Sequence, residues 1–169
     1  TRMAGATGGD GIGIIGKRKG LVILVDFQDV KMQSAHDNAE WNDFFNKSGY
    51  NTLGNSGSVH DYFYSQSYGQ FDLSFDVVGP VTVSKNMADY GGNDDSGNDK
   101  DPGGMVYEAC RLVADKVNFA DYDWDGDGEV DQVFVIYAGY GEASRPALLP
   151  NTIWPHEWTL KAAGYSLTL

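Results

Sequence analysis

Six carboxylates fall within eleven residues of this sequence, in Asp121-Tyr-Asp123-Trp-Asp125-Gly-Asp127-Gly128-Glu129-Val130-Asp131, with no Lys or Arg among them. Read from Asp123, the segment follows D-x-D-x-D-G-x-V-D, the head of a calcium-binding loop. Asp123, Asp125 and Asp127 stand at positions 1, 3 and 5, and Gly128 supplies the turn at position 6. Glu129 offers its backbone carbonyl at position 7, and Asp131 stands at position 9. Calcium takes six to eight oxygens, and alternate carboxylates on a tightly turned loop converge on one point. Position 12, where a bidentate acid closes such a site, is Phe134. The remaining ligand then has to come from Asp121, another loop or water. A turn of solvated carboxylates is the plainer reading, but that many acids without a counter-ion repel one another. Zinc does not suit the segment, because it takes His and Cys. A calcium ion here is expected to be structural, pinning the start of a strand at Val133.

The other candidate constellations are incomplete. His60 has Tyr64 four residues on, so it opens no H-E-x-x-H motif. His156-Glu157 begins one, but its fifth position is Leu160, and a pair that packs among Trp154, Pro155 and Trp158 or stands behind a metal ligand is expected. His36 has no partner in the pattern. Ser144 lacks the G-x-S-x-G setting of a nucleophile elbow. The glycines at 8–16 precede a strand instead of following one, against a phosphate loop. Cys110 reads as a buried, inert thiol on a helix. Asp26 and Asp29 flank a strand end, where sites often lie, but two acids make no site. Tyr62, Phe63, Tyr64, Tyr68 and Phe71 could form a carbohydrate platform, although helical spacing favours core packing. No catalytic residue and no zinc ligand is assigned.

The elements that must position these residues are legible in outline. The apolar run 20–27 reads as a strand buried on both faces. Trp41, Phe44 and Phe45 mark a helix over 38–48, and 49–57 is a Gly/Asn/Ser loop. Ser58 and Asp61 fit a capping box that opens a second helix, ended by Gly69. Strand signals follow at 71–75 and 77–83, with Pro80 marking an edge, bend or bulge. Residues 89–104 read as an acidic surface loop. Asp101 then caps a helix with Pro102 at its first position, and Met105, Ala109, Leu112, Val113 and Val117 make its apolar stripe. A second buried strand is expected at 133–137. This order predicts an α/β sheet with crossovers, partly antiparallel. Residues 1–19 read as a flexible lead-in or a propeptide or linker remnant, and 20–169 as one partial α/β domain.

Composition narrows the function classes. The 169 residues carry 24 acids against 12 Lys plus Arg, a net charge of −12. Thirteen of those acids lie between Asp89 and Asp131, opposed only by Lys100, Arg111 and Lys116, so the charge is local. A pI near 4.4 argues against nucleic-acid partners, which need clustered bases. Hydrophobic content of 41% argues against a disordered acidic tail. No apolar run is long enough for a transmembrane segment. The single cysteine excludes an internal disulfide framework.

Several stretches together resemble a known family. They are 20–27 (GLVILVDF), 58–63 (SVHDYF), 67–71 (SYGQF), 76–81 (DVVGPV), the acidic segment 121–131, 133–143 (VFVIYAGYGEA) and 151–158 (NTIWPHEW). In this order they resemble the first part of the peptidase domain of immune inhibitor A-like secreted bacterial zinc metallopeptidases, over roughly residues 20–160. The resemblance implies a zincin-like mixed sheet with crossover helices, the upstream half of a metallopeptidase catalytic domain. It implies zinc held by H-E-x-x-H, whose Glu is the general base on a zinc-bound water. In the family that motif follows the I-W-x-H region, and this chain stops at Leu169, before it. The expectations are thus a calcium-stabilised part of a zinc endopeptidase, inactive alone, with zinc only in the complete parent domain. The parent would act on protein or peptide substrates, as a monomer, secreted or at a bacterial cell surface. By resemblance, Asp123, Asp125, Asp127 and Asp131 match the family's acidic calcium motif. The alternative is a non-catalytic calcium-dependent binding module for a glycan or a protein.

Overall fold

The computed structural model describes residues 15–144 and 148–168. Residues 1–14, most of the expected lead-in, lie outside the described residues. The chain forms β1 (Gly16–Asp26), α1 (Asn38–Asn46), α2 (Val59–Gln66), β2 (Phe71–Thr82), α3 (Met87–Gly91), α4 (Pro102–Leu112) and β3 (Val133–Tyr137). One-turn helices stand at Ser34–His36, Thr52–Gly54, Phe119–Tyr122 and Glu142–Ser144.

The three strands form one sheet in the order β2-β1-β3, and both pairings are parallel. The antiparallel part expected of a mixed sheet is not found among the described residues. Its physical reason is connectivity: helices fill both connections between strands, and a crossover of that length returns the next strand in the same direction.

β1 is the hub. Leu21 through Val25 have no exposed surface. Their side chains alternate between two cores. Leu21, Ile23, Val25 and Phe27 pack with Val81, Val83, Met105, Ala109, Cys110, Val113 and Ile153. Val22 and Leu24 pack with Phe45, Leu73 and Phe75, against Trp41, Phe44 and Phe63. A strand covered on both faces reads as a continuous apolar run, which is why period two is invisible in 20–27. β1 nevertheless starts at Gly16, because main-chain pairing with β2 continues through Lys17-Arg18-Lys19.

β2 is one strand, not two pieces. Its pairing with β1 shifts between Ile23 and Val25, opposite a cis Gly79–Pro80 bond. Gly79 has φ +100, and a Cβ there would lie 2.5 Å from Leu24 O, so only glycine fits this approach. Two asparagines of the α1 helix close the outer edge of β2. Asn46 Nδ2 donates to Phe75 O at 2.9 Å and Phe75 N donates to Asn46 Oδ1 at 2.8 Å, a side-chain copy of a strand ladder. Asn38 Nδ2 donates to Val77 O and Gly79 O at 3.0 and 3.2 Å. An edge satisfied in this way offers few free groups to another chain.

The caps form as the spacing predicts. Ser58 and Asp61 make the α2 capping box, and Asp101 Oδ1 accepts from Gly104 N at 3.0 Å to start α4 behind Pro102. Four expectations need correction. Residues 87–91 are helix α3 instead of loop: Asn86 N donates to Asp89 Oδ2 at 3.2 Å, and Tyr90 is buried with its hydroxyl 2.6 Å from Glu108. Leu112 turns outward at 40% exposure, so Cys110 takes the core place assigned to it. Tyr62, Tyr64 and Tyr68 are exposed, because only Val59, Phe63 and Phe71 of that region face the sheet. β3 is only half-buried, since it is paired on one edge.

Candidate metal centre

The acidic loop is tied to the sheet at its neck. Asp131 N donates to Tyr122 O at 3.1 Å, closing the loop on itself. Tyr122 is buried, and its hydroxyl donates to Asp76 Oδ2 of β2 at 3.0 Å. Burial and that carboxylate raise the Tyr122 phenol above its ordinary value. Trp124 Nε1 donates to Lys19 O at 2.7 Å, and its ring meets Phe71 at 5.9 Å.

Inside the loop, Gly126 and Gly128 take φ of +80 and +88. These left-handed turns are open to glycine at no steric cost. Asp123 accepts from Gly126 N at 2.7 Å and Gly128 N at 2.9 Å. The Gly128 amide, with that of Gly126, holds the Asp123 carboxyl below its ordinary value. Asp125 Oδ1 accepts from Asp127 N at 3.1 Å, and Asp127 Oδ1 from Glu129 N at 2.8 Å. Asp131 Oδ2 accepts from Trp124 N. Burial, followed by the charges of Asp125, Asp123 and Asp127, pushes the Asp131 carboxyl upward against that contact.

Asp123, Asp125 and Asp131 come together: one oxygen of each lies within 4.8 Å of the other two. Asp127 is not in this trio, and neither are Glu129 and Asp121. Asp121 faces away, with Asn118 Nδ2 donating to it at 2.9 Å and Lys19 Nζ 3.8 Å distant. The donor set is all oxygen, which suits a hard cation of the calcium type and not zinc. Phe134, at position 12, packs into the apolar core beside Phe45 and Phe75.

The loop sits where the strands begin, beside Lys19 of β1 and just before Val133 of β3. The carboxyl ends of the strands, where sites of open α/β sheets gather, lie at the opposite edge. There Asp26 Oδ1 accepts from Met32 N at 2.8 Å and Asp29 Oδ1 from Met87 N at 2.9 Å, so both acids serve turns. Glu142 is buried and accepts from Asn93 Nδ2 at 3.3 Å. Asp99 Oδ2 accepts from Trp154 N at 2.9 Å. Burial, joined by the Glu142 charge, raises the Asp99 carboxyl. This Asn93–Asp99–Glu142 group and the Lys19–Asp76–Tyr122 network were not seen in the sequence. The side-chain hydrogen bonds that build them join residues 46 to 57 positions apart, and no local pattern marks them.

The histidines do not converge. His60 Nε2 lies 2.9 Å from Asp72, His156 Nδ1 lies 2.7 Å from Trp154 O, and His36 packs edge-on against Trp41. His156 and Glu157 are exposed, as are Trp154 and Trp158, so the expected packing pair is not formed. Among the described residues no second group of three His, Cys, Asp or Glu offers converging ligand atoms. No helix among them is long and apolar enough to cross a membrane.

Comparison with known proteins agrees with the motif order. The chain is 28% identical over 192 residues to immune inhibitor A of Bacillus thuringiensis subsp. alesti, covering 92% of this chain and 27% of that protein. It is 28% identical over 177 residues to the pre-pro-metalloprotease PrtV of Vibrio cholerae, covering 84% of this chain and 19% of that protein. The chain therefore spans about a quarter or less of the length of these relatives. The family described as immune inhibitor A peptidase M6, catalytic domain, matches residues 10–168. With a match along nearly its whole length, this chain belongs to the immune inhibitor A peptidase M6 family.

Proposed function

We propose that this chain is the upstream part of a zincin-type catalytic domain in a secreted bacterial zinc endopeptidase, stabilised by calcium in the 121–131 loop. The observation that carries the calcium reading is the convergence of Asp123, Asp125 and Asp131 across the two left-handed glycines Gly126 and Gly128. Its structural role follows from position, since the loop lies at the amino ends of the strands, away from the edge where sites gather. Asp127 and the Glu129 carbonyl stand ready to complete the shell, with water or another segment in place of Phe134. Zinc in the complete parent domain would supply Lewis-acid chemistry for peptide-bond hydrolysis. The three histidines here do not fit as its ligands, so the zinc centre is assigned to residues outside those described. This chain's own residues then supply the sheet and its carboxyl edge, and no proton-transfer step. The proposed domain is 20–169 together with the first residues of β1, which starts at Gly16. Bacterial relatives, one of them named a pre-pro-metalloprotease, support export and protein substrates.

The test is proteolysis. The 169-residue chain is expected to leave casein intact, and the longer protein that contains it to cleave casein until zinc is chelated. Cleavage by the purified chain, abolished by a zinc chelator, would overturn the assignment of the zinc centre. A second reading, a calcium-dependent glycan module, draws on the exposed Tyr62, Tyr64 and Tyr68. It is favoured if oligosaccharides shift the chain's tyrosine signals and the longer protein leaves casein uncut.

A further inference from the structure

β1 runs five residues beyond β3 at its amino end. Gly16 to Gly20 pair with Phe71 to Phe75 of β2, whereas β3 begins opposite Leu21. On its other side this overhang meets no strand among the described residues. It carries Lys17-Arg18-Lys19, three consecutive cleavage points for a trypsin-like protease. Proteases take their substrates as extended strands, through main-chain hydrogen bonds at an open edge. On this edge the Lys19 carbonyl is covered by Trp124, whose indole N–H donates to it at 2.7 Å. The same ring rests on Phe71, the β2 partner of Gly16. Lys19 Nζ reaches Asp76 at 3.0 Å and lies 3.8 Å from Asp121 at the loop's entry. Trp124 is in turn held from within the loop, because its backbone N–H donates to Asp131, one of the three converging acids.

We propose that the acidic loop is a cation-tightened latch over this basic overhang. The closed loop shields Lys17-Arg18-Lys19 from trypsin-like proteases, and the opened loop surrenders it. The part played by the cation rests on the calcium reading above, whereas the latch rests on the contacts of Trp124. A cation among Asp123, Asp125 and Asp131 offsets their repulsion and keeps Asp131 under Trp124. Without it the three carboxylates spread, Trp124 leaves Lys19, and the two-stranded overhang frays locally while the sheet stays folded. Binding at a free calcium of one hundred times the dissociation constant lowers the open population about 100-fold. Cleavage falls by up to the same factor where opening is fast relative to cutting.

The experiment is limited trypsin digestion of the 169-residue chain, followed by mass spectrometry, in calcium chloride and in chelator. Cleavage after Lys17, Arg18 or Lys19 is normalised to cleavage after the exposed Lys161 in the same digest, which cancels any effect on the protease. Calorimetric titration with calcium chloride runs alongside. Calcium is expected to slow cleavage at the basic triplet selectively. Trp124→Phe, which keeps a ring and loses the indole donor, is expected to speed it in either buffer. Calcium binding with no change at the triplet overturns the cation-tightened latch and leaves the calcium reading standing. Trp124→Phe with wild-type cleavage in chelator overturns the latch itself. No calcium binding at all overturns the calcium reading and the tightening together.

Discussion

Filling the acidic loop should raise the stability of the whole chain, and by a predictable amount. The ligand trio closes a loop whose neck is bonded to Tyr122 and whose exit is β3, so opening the loop and unpairing β3 from β1 are linked. A cation that binds only the closed form stabilises by mass action, about 2.7 kcal/mol at one hundred times its dissociation constant. For a chain of this size each kcal/mol moves the melting midpoint by about 2–4 °C. The shift should therefore be roughly 5–11 °C between chelator and saturating calcium, followed by circular dichroism. Asp131→Asn keeps an acceptor for Trp124 and removes one ligand charge, so it should weaken binding by about tenfold or more and shrink the shift. Asp95→Asn, in the other acidic stretch, removes the same charge from an exposed side chain with no side-chain hydrogen bond among the described residues and should leave the shift unchanged. Equal melting midpoints in calcium and chelator, or equal losses in both variants, would refute a specific site in favour of diffuse screening.

Three further outcomes follow from the described contacts. Asn46→Ala leaves the Phe75 main chain without its ladder and should cost about 1–3 kcal/mol in urea denaturation, with an unchanged denaturant slope. The backbone amides of Ser58 and Gly49 hold the Asp61 carboxyl below its usual 3.8. A depressed folded value means stability that is present above pH 3.8 and is lost as pH falls through the folded value. Asp61→Asn should flatten that part of the stability-against-pH curve, and an unaltered curve would exclude the capping carboxylate as its source. The Cys110 thiol is 2% exposed and pushed up to about 11 by burial. It should resist a thiol reagent at pH 8 in the native state and react at once in denaturant.

What could be read from the residues was what local chemistry decides. The tight Asp/Gly turn at 123–128, the Ser58–Asp61 box, the Asp101-Pro102 start and the apolar run of β1 all announce themselves within a few positions, because a cap, a turn or a buried strand is a short-range requirement. Strand direction was not legible, since it depends on what lies between strands and not on the strands. Residues 71–75 and 77–83 looked like two pieces, yet one strand runs through both, with its register shifted near the bulge that Pro80 suggested. The tyrosines of α2 looked like core because helical spacing gives a face and not its orientation. Within the acidic segment, spacing could not tell which of six acids turn inward. For Asp121 that choice is made by Lys19 and Asn118, which draw it away.

The central place of β1 has a cost in time. Val133, its first β3 partner, lies 112 residues after Leu21. Chains emerge from the ribosome at roughly 5–20 residues per second, so β1 waits about 6–22 s for its second neighbour. Throughout that interval five consecutive residues destined for complete burial have a strand on one edge at most. Non-local parallel pairing of this kind forms late and leaves apolar edges open to association. Yield during synthesis should accordingly depend on holdase chaperones more than the finished domain's stability suggests.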